Sequence, residues 1–143
     1  MGCGPGQFAE YLKAHGFSGT YCGIDFSGEA IQQARRRCPD YQFLQARLPL
    51  DDPAQTPEHD TVICLEVLEH VEKDTDILQS IMPGKFIIAS VPNFDSLGHV
   101  RYFRDAEQVR ARYAPFFEDM RLTECRLGEK NIIWLMHGHR ATG

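Results

Sequence analysis

The chain has 143 residues, of which 43% are hydrophobic and 24% charged, with a formal net charge of -5. That length suits one domain with a single core, at roughly 100 to 200 residues per domain, and the composition excludes a disordered chain. No apolar run approaches the ~18 residues of a membrane span, and the acidic balance argues against broad nucleic-acid binding, which shows as a basic domain or stripe.

The N-terminus carries no basic-then-apolar leader, so a cytoplasmic protein is expected. Cys3, Cys22, Cys38, Cys64 and Cys125 are scattered and never form a CxxC pair. They encode neither a disulfide framework nor a zinc knuckle, and small buried residues are expected in their place.

The first stretch, GCGPGQF, has glycine at alternate positions, as in loops that present backbone N–H groups and a helix N-terminus to a ligand. Phe8, Tyr11, Leu12 and His15 then recur at helical spacing, and Gly16 supplies a stop. TYCGI, from Thr20 to Ile24, reads as a short strand. Ser27 suits the N-cap of a second helix with Ala30, Ile31, Ala34 and Cys38 on one face and Pro39 past its end. The run Arg35, Arg36 and Arg37 on that helix reads as a solvated face. YQFLQA is the next strand, and the proline-rich LPLDDPAQTPEHD is a loop.

TVICL (Thr61 to Leu65) and KFIIASV (Lys85 to Val91) are too apolar to alternate, which suits strands covered on both faces. Between them Ile77, Leu78, Ile81 and Met82 mark a helix that Pro83 and Gly84 break. Beyond Pro92 the chain is irregular as far as Asp105, where Val109, Tyr113, Phe116 and Phe117 predict a helix with one face inward. MRLTECRL and NIIWLMHG flank GEK, the pattern of an antiparallel hairpin. Strands alternating with helices, then a hairpin, predict an α/β domain with a mostly parallel sheet.

Ligands of open parallel sheets bind at the carboxyl ends of the strands. The residues there are Asp25 and Phe26, Ala46 and Arg47, Glu66, and Pro92 and Asn93. Asp25 stands close to the ~20-residue interval at which an acid accepts from a ribose, and a carboxylate offers only acceptors, which suits a diol. Gly2, Gly4 and Gly6 run GxGxG and not the dinucleotide GxGxxG, which favours a loop for S-adenosylmethionine.

With GCGPGQF, GIDFSGEAIQQAR, HDTVICLEVLEHV and SVPN in this order, the chain resembles the class I S-adenosylmethionine-dependent methyltransferases of the small-molecule, ubiquinone type, over nearly its whole length. The resemblance implies a Rossmann-like sheet with helices on both faces and a C-terminal antiparallel hairpin. It also implies S-adenosylmethionine as cofactor and a small-molecule oxygen, nitrogen or carbon as methyl acceptor. Gly2, Cys3, Gly4, Gly6 and Gln7 would meet the amino-acid part of the cofactor, and Asp25 the ribose. Phe26, Ala46, Arg47 and Leu48 would border the adenine, where QARLP lacks the acid that many relatives carry. Leu65 and Glu66 would line the pocket near the sulfonium.

Aligning a nucleophile with the methyl carbon supplies most of such catalysis, because the cofactor carries its own leaving group. Where a base is needed, His70 and His99 are the candidates. Glu66, Glu69 and His70 would share one face of a helix and could hold a divalent ion. The stretch is similar both to the metal-binding segment of small-RNA 2′-O-methyltransferases and to small-molecule enzymes in which no metal is implied. The acidic net charge and the absence of a second histidine cluster favour no metal. In NFDSLGHVRYFRD, Arg101, Tyr102 and Phe103 could meet an acceptor, although packing is the ordinary role of such a cluster.

In the fold that is resembled, a central strand precedes the glycine loop, and here Met1 stands directly before it. A single domain over residues 1–143 that lacks its first central strand is therefore expected, unless the flanking strands pair directly. A metal-assisted RNA 2′-O-methyltransferase and a non-catalytic cofactor- or partner-binding fragment stand as alternatives. No motif encodes an oligomeric state.

Overall fold

The computed structural model describes residues 1–52 and 56–142. Part of the proline-rich connection, Pro53 to Gln55, lies outside the described residues. The chain forms two compact units, Met1–Pro57 and Glu58–Gly143. Among the described residues no helix is long and apolar enough to cross a membrane.

The first unit is α1 (Gln7–Ala14), β1 (Cys22–Asp25), α2 (Gly28–Arg37) and β2 (Gln42–Gln45). β1 and β2 pair in parallel, with Cys22 opposite Gln42 and Asp25 opposite Gln45. Ser27 caps α2 as expected, its hydroxyl accepting from the Ala30 N–H at 3.2 Å. The core is Ala9, Ile31, Ala34, Cys38 and Phe43, with Cys3, Tyr21 and Tyr41 packed against it. On α1 the helix is where the periodicity puts it, but only Ala9 is buried. Tyr11 is exposed and stacks on His15 at 3.9 Å between ring centroids, so the face that Phe8, Tyr11, Leu12 and His15 share is not buried in the core.

The second unit holds β3 (Thr61–Cys64), α3 (Asp74–Ser80), β4 (Phe86–Pro92), α4 (Ala106–Tyr113), β5 (Arg121–Leu127) and β6 (Asn131–His139). Its sheet runs β3-β4-β6-β5. β3 and β4 are parallel, while β6 is antiparallel to both β4 and β5. The hairpin therefore folds back so that its second strand, not its first, pairs with β4. The register puts Val62 beside Ile87, Cys64 beside Ala89, and Val91 beside Trp134 on one face, all of them buried. Ile77, Leu78, Val109 and Tyr113 of the helices complete the core of this unit.

Several expectations change in detail. β3 alternates, with Val62 and Cys64 buried and Thr61 exposed, so it is not covered on both faces; β4 is covered so only from Ala89 onward. α3 ends at Ser80 and leaves Met82 61% exposed, because the backbone is already extended at Ile81. Pro115 ends α4 in a short 3-10 turn, Ala114–Phe116. Within the first unit β1 pairs with β2, and within the second β3 pairs with β4.

Candidate functional site

In the first unit the glycine loop has the backbone that its sequence demands. Gly2, Gly4 and Gly6 have φ of 66°, 50° and 85°, a region that side chains disfavour. A Cβ on Gly4 would meet nothing within 4 Å, so the loop leaves open space at its centre. A Cβ on Gly6 would stand 3.0 Å from both Cα and Cβ of Ala34 in α2, so here only glycine lets loop and helix approach.

Asp25 ties the loop down. One carboxylate oxygen accepts from the Gly4 N–H at 2.9 Å and the other from the Ser27 N–H at 3.0 Å. The Cys3 N–H also donates to the Ile24 carbonyl at 2.9 Å. Each oxygen of Asp25 keeps lone-pair capacity for a further donor, as a diol-binding acid needs. Burial, and next the negative charge of Asp25, push the Cys3 thiol up to about 11, so it stays protonated at neutral pH. Gln7 is exposed at the start of α1.

Phe26 is 66% exposed, and the Arg47 guanidinium lies 5.9 Å from its ring centroid. Ala46 and Leu48 are half-buried. Ala46 continues the β1–β2 pairing by donating to the Asp25 carbonyl at 2.9 Å. A cavity of about 140 Å³ opens beside Ala46, between Ile24, Arg35 and Leu44, and none of the loop glycines lines it.

In the second unit Leu65 is half-buried and Glu66 exposed at the carboxyl end of β3. Glu66 has φ 53°, uncommon for a residue with a side chain. Ser90, buried on β4, holds it: the Ser90 hydroxyl accepts from the Glu66 N–H at 3.0 Å and donates to Glu66 Oε1 at 2.7 Å. The expected helical face through Glu66, Glu69 and His70 does not form. Only Leu68–His70 makes a 3-10 turn, and Glu66 precedes it in left-handed backbone.

Folding brings Glu69, His70 and His99 together, with one ligand-type atom from each within 4.8 Å of the others. Glu69 is fully buried, and neither carboxylate oxygen has a hydrogen-bond partner. Burial first, then the neighbouring Glu66 carboxylate, push Glu69 up to about 8. Nδ1 of His70 lies 2.9 Å from the Gly98 carbonyl, and Nδ1 of His99 lies 3.2 Å from the Phe94 carbonyl. Carbonyls only accept, so these partners assign a proton to each Nδ1, and in the neutral ring the lone pair is then on Nε2.

Acceptors thus converge on one point, which needs either a proton on Glu69 or a cation. A histidine that donates its other N–H to a backbone carbonyl is the usual arrangement of a metal ligand, and one carboxylate with two imidazoles suits a divalent first-row ion. The second histidine that the local sequence lacks is His99, supplied from the loop after β4. Phe103 of that loop is buried, Tyr102 is 38% exposed, and the Arg101 guanidinium is engaged by backbone carbonyls and not turned to an acceptor.

A family model for a methyltransferase domain matches residues 1–83. The chain is 31% identical over 121 residues to a ubiquinone biosynthesis O-methyltransferase of Hydrogenovibrio crunogenus, covering 76% of this chain and 48% of that protein. It thus spans about half the length of the curated relatives it matches. Among solved structures, the methyltransferase domain of bacterial CtHen1-C aligns with a TM-score of 0.68 at 18% identity, over 96% of this chain and 86% of the other. The N-methyltransferase NodS from Bradyrhizobium japonicum, solved with S-adenosyl-L-homocysteine, aligns with a TM-score of 0.62 at 20% identity, over 99% of this chain and 76% of the other.

Proposed function

Because the chain belongs to the class I S-adenosylmethionine-dependent methyltransferases, we propose that it methylates a small molecule. The ubiquinone-type relatives favour an oxygen acceptor over nitrogen or carbon. When bound, S-adenosylmethionine supplies an electrophilic methyl group and its own neutral leaving group. The observation that carries the reading is the Asp25 carboxylate on the Gly4 N–H, which joins the positive-φ loop to the end of β1.

In this reading Gly2, Cys3, Gly4, Gly6 and Gln7 receive the amino-acid part of the cofactor. Asp25 accepts from the ribose hydroxyls with the lone pairs that Gly4 and Ser27 leave free. Phe26, Ala46, Arg47 and Leu48 border the adenine, and Leu65 and Glu66 serve the sulfonium side. Nε2 of His70 or His99, the ring nitrogen with the lone pair when the imidazole is neutral and Nδ1 donates to its carbonyl, takes the acceptor's proton where the acceptor must ionise.

Calorimetric titration of the chain and of Asp25→Ala with S-adenosylhomocysteine tests this. Micromolar binding that the variant loses is the expected result. A folded wild-type chain that does not bind, or a variant that binds equally well, would overturn it.

A second reading, metal-assisted transfer, is favoured by one observation: the buried, unpartnered carboxylate of Glu69 facing His70 and His99. These three would hold a divalent ion, whose chemistry is to lower the pKa of an acceptor hydroxyl. Salt-dependent binding of RNA would point to a ribose acceptor in place of a small molecule. Titration with Mn²⁺ decides whether an ion is held, and binding that survives in Glu69→Ala sinks this reading.

A further inference from the structure

We propose that Arg101 is the positioning residue that holds Glu69, His70 and His99 at ion-binding distance; the inference rests on the metal-assisted reading. Glu69 and His70 sit on a 3-10 turn of three residues, Leu68–His70. A turn that short has few bonds of its own. The His70 N–H reaches the Val67 carbonyl at 3.0 Å and the Val71 N–H reaches the Leu68 carbonyl at 3.4 Å. Its remaining carbonyls need donors from elsewhere.

The donors come from the segment that carries His99. The Val100 N–H donates to the Glu69 carbonyl at 2.7 Å. The Arg101 guanidinium donates to the carbonyls of Leu68 at 2.6 Å, Val71 at 2.5 Å and Glu72 at 3.0 Å. One side chain thus gathers three carbonyls around the Glu69–His70 pair, while the residue two before it in sequence is the third ligand. The Arg101 side chain is only 15% exposed, and its charge is balanced by Asp74 at 3.4 Å. A planar guanidinium has the fixed fork of donors that this bridging requires, which an ammonium lacks.

Asp74 supplies the control. It also pairs with Arg112, at 2.5 and 2.8 Å, and with the Tyr113 hydroxyl at 2.7 Å, and among the described residues neither of these is bonded to the Leu68–His70 turn. Arg112→Lys therefore weakens the same buried charge cluster and leaves the carbonyl lacing intact.

The experiment titrates the full chain, Arg101→Lys and Arg112→Lys with Mn²⁺, following bound ion by electron paramagnetic resonance, with thermal unfolding of each. The expected result is that Arg101→Lys loses about tenfold or more in Mn²⁺ affinity, while Arg112→Lys unfolds at lower temperature and binds Mn²⁺ as the wild type does. Equal affinity in Arg101→Lys and wild type overturns the proposal. Equal weakening in both variants also overturns it, because the effect is then general destabilisation. A wild-type chain that binds no Mn²⁺ removes the metal-assisted reading itself and the proposal with it. If Arg101→Lys does not fold, amide hydrogen exchange on the wild type decides. Mn²⁺ is expected to raise protection at Val100 and at residues 68–72 together, and unchanged exchange there overturns the proposal.

Discussion

Gly6→Ala sets backbone strain against close packing in one loop. Gly6 has φ 85°, and a Cβ there would lie 3.0 Å from the Cα and Cβ of Ala34, which is itself fully buried in α2. The backbone strain of a left-handed alanine is worth roughly 1–2 kcal/mol, and overpacking against an atom that cannot swing away adds about 1–3 kcal/mol. Gly4→Ala isolates the first cost, since Gly4 has φ 50° and nothing within 4 Å of the added methyl. Urea unfolding followed by circular dichroism should show Gly4→Ala destabilised by about 1–2 kcal/mol and Gly6→Ala by about 2–5 kcal/mol. Equal losses in the two variants, within about 0.5 kcal/mol, would refute the claim that contact between loop and α2 is what requires Gly6.

Asp25→Asn keeps one acceptor oxygen of the two that hold Gly4 and Ser27, so it should lose about half of the stability that Asp25→Ala loses, as measured by the same unfolding. Glu69, raised to about 8 by burial and by Glu66, binds its proton more tightly folded than unfolded; stability should fall as pH rises from about 4.5 to about 8. Unfolding at pH values across that window tests this, and Glu69→Gln should flatten the slope. Asp74→Ala leaves Arg101, Arg112 and Tyr113 without their common acceptor and should cost about 3–5 kcal/mol by urea unfolding. Ser90→Ala removes both bonds that hold Glu66 at φ 53°, and Ser90→Thr, which keeps the hydroxyl, should recover most of the lost unfolding temperature.

Local patterns were legible wherever one residue's chemistry decides its neighbours' conformation. The Ser27 cap lies where a serine ahead of a helical period puts it, and the strand ending at Asp25 and the hairpin across GEK follow from period and turn residues. The glycine loop was legible for the same reason, because alternating glycines permit the positive φ observed at Gly2, Gly4 and Gly6. Nothing in the sequence marks Ser90 as functional: inside FIIASVP it is one polar residue in a buried run, and its partner Glu66 is 24 residues away in sequence. The helix expected from Glu66 to His70 failed because spacing alone does not register a left-handed residue held by a neighbouring strand.

The sequence by itself carried the family through its resemblance to known members, and it determined the order of helices and strands and the loop with its acid at the end of β1, since these rest on short-range spacing or a single side chain's donors and acceptors. Tertiary structure alone decided that β6 inserts between β4 and β5, and that His99 joins Glu69 and His70. It also decided that Arg101 is occupied by three carbonyls. Those outcomes depend on which distant groups leave water together, and a buried carboxylate or guanidinium takes its meaning from the partners that arrive with it.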